Sequence, residues 1–470
     1  MNPDKLGPCS NGEFVPQAAS PLMREARRRA AAAAERQARR LGLSRRAFLR
    51  SSMGTATTLL ALAACSRDER ESSGGGEPGG TFDVPPDATT DTTAADGAVG
   101  PGDGEVIVDV QTHFLDPDTT GFGAGFPQAS CDADARECFT IDRWADLVLA
   151  GSDTSVAVLS ALPIVADDHP MSAAKMDEAR RVAEALCGDG RVLLQGEAFP
   201  AVGSLPEALD RMSALAAEHT LSAWKVYTGV GGRWTLVDEI GDAFLGRVSS
   251  LAEEGVGPRI VAAHKGLGID PTDVGPAAAA HPDLTFVAYH SGYESGRREG
   301  PFDDQGGGVD RLIVSCRDAG VGTGGNVYAE LGTTWRSVMT SPDEAAHVLG
   351  KLLVAFGPDN VLWGTDSIWY GSPQDQIDAF RAFEISPALQ EAHGYPALTA
   401  EVKRAILGRN AARLHGLDVA GLSPCRFNPE EREAAREEAF ARTPDRLYGP
   451  VSRRDVVVTW LTEHPWLSRR

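Results

Sequence analysis

Val261-Ala262-Ala263-His264 and Val287-Ala288-Tyr289-His290 are short apolar runs, each closed by a histidine, and the two histidines stand 26 residues apart. A strand buried on both faces reads as such a run, and one strand–helix repeat of a parallel barrel takes roughly 30–40 residues. The spacing therefore marks two consecutive strand–helix units with a histidine at the same end of each. Similar runs lie outward on both sides, at 106–110, 155–159, 192–196, 223–227, 326–331 and 361–364. Together with 259–263 and 284–289 they make eight. Amphipathic helical patterns fill the intervals at 172–186, 204–217, 238–253, 309–319, 342–356 and 375–383; in the first of them Met176, Ala179, Val182, Ala183 and Leu186 share one face. Alternating strand and helix imply a parallel sheet. Eight units across 105–418 predict an α/β fold, a (β/α)8 TIM barrel. A doubly wound sheet is the competitor, but no Gly-x-Gly-x-x-Gly follows the first strand, so dinucleotide binding has no support.

The residues able to do chemistry sit at strand ends. His113 follows the first strand in Gln111-Thr112-His113, and His264 and His290 end the fifth and sixth. Asp366 follows the eighth in Gly364-Thr365-Asp366-Ser367. In a parallel barrel these ends face one mouth, where barrel enzymes keep their sites. Imidazoles and a carboxylate converging from separate strands form a divalent-metal site. The bland alternatives are a hydrogen-bonded core histidine at His264, a supporting role for His290 behind a ligand, and a helix cap at Asp366.

This pattern resembles the amidohydrolase superfamily, in particular the amidohydrolase-related branch that includes aminocarboxymuconate-semialdehyde decarboxylase. The resemblance covers about 105–418 and includes the closing segment Ile406-Leu407-Gly408-Arg409-Asn410-Ala411-Ala412-Arg413-Leu414-His415-Gly416-Leu417. It implies one divalent ion, Zn²⁺ first and Mn²⁺ as the alternative, held by His113, His264 and Asp366. Asp366 and His290 then serve as catalytic residues, Asp366 taking the proton of a metal-activated water and His290 polarising the scissile group or protonating the leaving group. The family usually carries His-x-His after the first strand, whereas this chain has Gln111, which offers only a neutral amide oxygen. In binuclear relatives a carbamylated lysine bridges two metals at the position of Lys225; a clamp for a substrate carboxylate or a buried ion pair is the plainer role. Tyr227, Trp335, Arg336 and Trp369 are further candidates for lining a substrate pocket, and Glu330 is expected to pair with a cation. Three functions follow: a metal-dependent hydrolase of a small amide, ester or lactone as the first expectation, a non-oxidative decarboxylase of a small aromatic or unsaturated acid, and a degenerate barrel acting as a surface scaffold.

The charge is uneven. The 470 residues carry a formal −21, yet residues 1–65 hold 11 Lys/Arg against 4 Asp/Glu. The strongly acidic remainder repels phosphates and argues against nucleic acid as a partner. Ser44-Arg45-Arg46-Ala47-Phe48-Leu49-Arg50 precedes a 12-residue apolar run from Met53 to Ala64, too short to span a bilayer, which needs about 20. The Arg pair resembles a twin-arginine export signal, and Leu62-Ala63-Ala64-Cys65 resembles a lipobox, implying cleavage before Cys65 and its lipidation. Met23 offers a second start, with 24–40 as the basic region. Residues 66–104, rich in Ser, Gly, Thr, Pro and Asp, are expected to be a disordered linker, and 419–470 a small helical extension. These readings predict an exported cell-envelope lipoprotein that touches the membrane only through its lipid anchor and binds a small-molecule substrate. Oligomeric state stays open, a homodimer among the options. Cys131 and Cys138 could pair, with free thiols as the default.

Overall fold

The computed structural model describes residues 1–457 apart from 103, 120–136, 427 and 444. Eight parallel strands follow in sequence order: β2 (Val108–Thr112), β3 (Val156–Leu159), β4 (Val192–Ala198), β5 (Ala223–Tyr227), β6 (Ile260–His264), β7 (Thr285–Tyr289), β8 (Val327–Glu330) and β9 (Val361–Leu362). They precede or alternate with helices such as Ala173–Cys187, Leu205–Glu218, Glu239–Glu253, Val309–Asp318 and Pro342–Phe356. The two ends of the sheet meet: Val110 N donates to Trp363 O at 3.1 Å, His113 N to Ser367 O at 2.7 Å, and Thr112 pairs with Ser367. The result is a nearly closed (β/α)8 barrel. Val110, Val156, Val158, Ile260, Val287 and Leu362 cluster in its interior, where β-branched side chains fill the tapering space without polar atoms to satisfy. Register levels the strand ends, with Tyr227 beside His264 and His264 beside Tyr289. The first barrel strand starts two residues later than its sequence suggests, which leaves His113 immediately beyond its end.

The N-terminal region departs from expectation. Pro21–Arg40 (α1) buries Leu22, Ala26, Ala30, Ala34 and Ala38, an i, i+4 stripe of small residues that lets a neighbouring helix approach closely. Arg45–Arg50 (α2) leads into Ser52–Ser72 (α3), which buries Leu59, Leu62 and Ala63 in the same core as α1 and the barrel helices. The helix runs through the expected cleavage point, and Cys65 is 4% exposed. Among the described residues, no helix is long and apolar enough to cross a membrane.

The linker expectation for 66–104 is likewise corrected. Gly80–Phe82 (β1) pairs antiparallel with Phe383–Ile385 (β10), and Phe82 packs edge-on to Phe383 at 5.6 Å. Thr92–Val99 (α4) is capped by Asp91, whose carboxylate accepts from Thr93 N and Ala94 N. Composition had pointed to disorder because few residues there are large and apolar; the barrel surface supplies the partners that the segment lacks within itself. A C-terminal helix spans Pro429–Arg442. A disulfide between Cys187 and Cys425, not anticipated from the sequence, ties the extension to the barrel across a separation of 238 residues. The Cys131–Cys138 pairing that the sequence left open involves Cys131, which lies outside the described residues.

Candidate functional site

Strand ends build the barrel mouth into a cavity of about 170 Å³ lined by Gln111, His113, Tyr227, His264, His290, Asp366 and Trp369. All four sequence-selected metal or catalytic side chains are brought there, each nearly inaccessible to solvent: His113 1%, His264 2%, His290 0% and Asp366 1% exposed. They form two contacting pairs. His113 Nε2 lies 2.9 Å from Asp366 Oδ1, and the rings of His264 and His290 meet edge to face at 4.5 Å. Tyr227 stacks on His264 at 4.9 Å and Trp369 on His113 at 5.8 Å, so aromatic faces wall two sides.

Backbone carbonyls set the imidazoles. His113 Nδ1 lies 2.7 Å from Ser160 O, and His290 Nδ1 lies 2.7 Å from Gly332 O. A carbonyl only accepts, so Nδ1 carries the proton in both rings and Nε2 is turned towards the cavity. This is the arrangement by which proteins orient imidazole ligands. Burial holds His290 down to about 4, and burial together with the charges of His290, Lys225 and Lys265 pushes His264 well below the ordinary imidazole value. Both rings are therefore neutral near pH 7, the form that binds metals.

Asp366 is the most heavily engaged group. Its Oδ1 faces His113 and accepts from Gln111 Nε2 at 3.1 Å; its Oδ2 accepts from Asn11 Nδ2 at 2.8 Å and Thr333 Oγ1 at 2.5 Å. Burial works to raise its pKa, but the hydrogen bond and charge of His113, then His290 and Thr333, hold it below the usual carboxylate range. The backbone here is strained. His290, Ser291, Thr333 and Asp366 all adopt positive φ, between 50° and 64°. Such conformations cost about 1–3 kcal/mol each for residues with a β-carbon, and they persist only where surrounding bonds enforce them. Glu330 enforces two: its carboxylate accepts from His290 N at 2.9 Å, and its carbonyl accepts from Ser291 Oγ at 2.6 Å. Gly364 has no side chain because the Glu330 carboxylate occupies the place a β-carbon would take.

Three expected pocket residues lie elsewhere. Lys225 sits beneath the cavity, its ammonium 3.5 Å from the centre of the Tyr289 ring, with Glu330 as electrostatic partner; burial lowers the lysine and raises the glutamate. Trp335 is core: its Nε1 donates to Gln376 O at 2.9 Å, and its ring packs on Phe380 and Phe383. Arg336 turns to the N-terminal segment and donates to Lys5 O and Gly7 O, both at 2.8 Å.

That segment is what sequence reading missed. Asn11, Gly12 and Glu13 line the cavity. Asn11 bridges Asp366 and Glu13 Oε2, while Glu13 Oε1 stands 3.6 Å from His264 Nε2. Nothing local marks these residues, since their partners are hundreds of positions away. The donor set fits a divalent cation. Neutral imidazole nitrogens and two carboxylates converge, and Glu13 is pushed up to about 8 by burial and by the charge of Asp366, strain that a cation would relieve. Ligands about 2.0–2.2 Å from one ion stand roughly 2.8 Å apart at a right angle and roughly 3.6 Å apart at the tetrahedral angle, a range that holds the His113–Asp366 and His264–Glu13 separations of 2.9 and 3.6 Å.

Solved structures of similar fold include an amidohydrolase II, 16% identical, with 66% of this chain and 99% of that one covered at a TM-score of 0.38. Another is 5-carboxyvanillate decarboxylase from Novosphingobium aromaticivorans, complexed with manganese and 4-hydroxy-3-methoxy-5-nitrobenzoic acid, 14% identical, covering 67% and 97% at a TM-score of 0.40. A third is 2,6-dihydroxybenzoate decarboxylase from Rhizobium, 14% identical, covering 66% and 99% at 0.37. No curated protein matches the chain. The amidohydrolase family model matches residues 108–417, the whole barrel with its strand-end residues His113, His264, His290 and Asp366. The chain belongs to the amidohydrolase family.

Proposed function

We propose that this amidohydrolase-family chain is a metal-dependent, non-oxidative decarboxylase of a small aromatic or unsaturated carboxylic acid. The state of Asp366 carries the reading. Hydrolysis, the first expectation from the sequence, asks this carboxylate to take a proton from an attacking water. Its two oxygens instead accept from Gln111, Asn11 and Thr333 and face His113 Nε2, and its affinity for a proton is reduced. A fixed anion of this kind suits holding a cation better than acting as a base. The small aromatic-walled cavity adds support, because loss of CO₂ is favoured where a carboxylate leaves water for a less polar setting.

His113, His264 and Asp366 would hold the ion, which when bound supplies Lewis-acid polarisation of a substrate oxygen. Tyr227 and Trp369 flank a flat substrate and fix its plane. His290, its Nε2 facing the cavity with a free lone pair, would take up a proton from solvent and relay it to the carbon that CO₂ leaves, so R–CO₂⁻ and H⁺ become R–H and CO₂. Export belongs to the same proposal: the Arg45-Arg46 motif and the Cys187–Cys425 disulfide both accord with an oxidising compartment outside the cytoplasm. The test is CO₂ release by the full chain loaded with Mn²⁺ or Zn²⁺, with 5-carboxyvanillate and 2,6-dihydroxybenzoate as first substrates and lactones and amides alongside. CO₂ with the protonated arene supports the proposal; acid release from a lactone or amide without CO₂ overturns it in favour of hydrolysis.

A further inference from the structure

We propose that Glu13, carried into the barrel mouth by the N-terminal segment, is itself a metal ligand and supplies the oxygen that Gln111 withholds. The inference rests on reading the barrel mouth as a metal site. Gln111 occupies the usual position of a strand-end ligand, yet it turns its amide nitrogen inward: Nε2 donates to Asp366 and lies 3.5 Å from His290 Nε2. Its Oε1 packs beside Gly332 and Glu330, buried and without a hydrogen-bond partner. A nitrogen that donates cannot ligate a cation, so the first strand contributes only His113.

Glu13 fills that gap. Ligand atoms of Glu13, His264 and His290 all lie within 4.8 Å of one another, so Glu13 stands where its carboxylate can join His264 on one ion. The 3.6 Å between Glu13 Oε1 and His264 Nε2 is long for a hydrogen bond and suits two ligands of a shared cation.

The segment is built to hold the carboxylate there. Glu13 N donates to Asn11 Oδ1 at 3.1 Å, closing an Asx turn, and Asn11 Nδ2 donates back to Glu13 Oε2 at 2.7 Å. Gly12 N donates to Ser10 Oγ at 2.9 Å, and Ser10 N to Pro450 O at 2.9 Å. Upstream, Lys5 is 3% exposed and reaches Asp375 and Asp445, while Arg336 clamps the carbonyls of Lys5 and Gly7. A strap that merely covered the mouth would need none of this positioning at Glu13. Cleavage ahead of Cys65, the processing that the lipobox resemblance implies, would strip the ligand away, so on this proposal an exported chain works only uncleaved.

The test is metal affinity, read by competition with a chromogenic chelator for Zn²⁺ and by the visible spectrum of the Co²⁺-loaded full chain. Glu13→Gln keeps shape and the hydrogen bond from Asn11, and it should weaken binding by about 100-fold and alter the Co²⁺ bands. Lys5→Met, which loosens the strap without touching the site, should weaken binding in the same direction. Glu13→Asp should bind between the wild type and Glu13→Gln. Wild-type affinity and spectrum in Glu13→Gln would overturn the proposal and leave Glu13 as cover. If the unaltered chain takes up no ion, the metal reading itself fails, an outcome distinguishable from the first.

Discussion

Replacing Lys5 with methionine tests whether the N-terminal segment is docked by a buried ion cluster. Lys5 Nζ lies 2.8 Å from Asp375 Oδ2 and donates to Asp445 Oδ1 and Oδ2 at 2.8 and 2.9 Å and to Ser372 O at 3.0 Å. Methionine keeps most of the length and removes the charge, which leaves two carboxylates facing one another. Removing one partner of a buried pair costs about 3–5 kcal/mol, because the remaining charge stays desolvated. Two features argue for the lower end. Asp445 is 22% exposed on its side chain, and the Met1 amine stands 3.7 Å from Asp375. A loss of about 3 kcal/mol corresponds to roughly two decades in the opening equilibrium of the segment. Hydrogen exchange read by mass spectrometry on the full chain measures that equilibrium directly. The amides of Ser10, Gly12 and Glu13, all hydrogen-bonded, should exchange about 100-fold faster in Lys5→Met, while β4 to β8 stay protected. Unchanged exchange at these amides would refute the anchoring role. Equal loss of protection throughout the barrel would show that Lys5 supports the whole fold rather than the strap.

Asp366→Asn should abolish turnover while leaving far-ultraviolet dichroism and thermal unfolding close to wild type; retained turnover in steady-state assays would remove Asp366 from the chemistry. Replacing both Cys187 and Cys425 with serine releases a closed loop of 238 residues and should lower stability by about 4 kcal/mol, measured by denaturant unfolding; an unchanged midpoint would mean that the bond adds nothing. His415, pushed down to about 4 by burial, stays neutral in the folded chain well below its unfolded pKa of about 6.5. The unfolded state therefore takes up a proton that the folded state refuses, and His415 destabilises the fold progressively from about pH 6.5 down to about 4. His415→Gln should gain melting temperature relative to wild type as pH falls through that window; a difference independent of pH would refute the assignment.

Much of the architecture was legible because the signals are local. Runs such as Ala223–Tyr227 and Thr285–Tyr289 announce buried strands by composition alone, and the helix Pro342–Phe356 carries its own start signal in a proline at its first position. Once the strands were placed, barrel geometry carried His113, His264, His290 and Asp366 to one mouth. Two kinds of feature stayed hidden. The first is position within a shared environment: Lys225 and Tyr227 differ by two residues on one strand, yet only Tyr227 lines the cavity, and Trp335 and Arg336 follow a strand end but point into the core and towards the strap. The second is long-range rescue of polar segments. Asn11 meets Asp366 across 355 residues, and Gly80–Phe82 finds its strand partner at Phe383–Ile385. Windowed composition sees neither, because the stabilising surface belongs to another part of the chain.

The location of the ion is the most direct measurement. Crystals of the full chain grown with Mn²⁺ or Zn²⁺, with diffraction collected on both sides of the metal absorption edge, give the metal position without reference to activity. One anomalous peak is expected at the barrel mouth, about 2.0–2.3 Å from His113 Nε2, His264 Nε2 and oxygens of Asp366 and Glu13. A peak away from these side chains, or none at saturating metal, would contradict it.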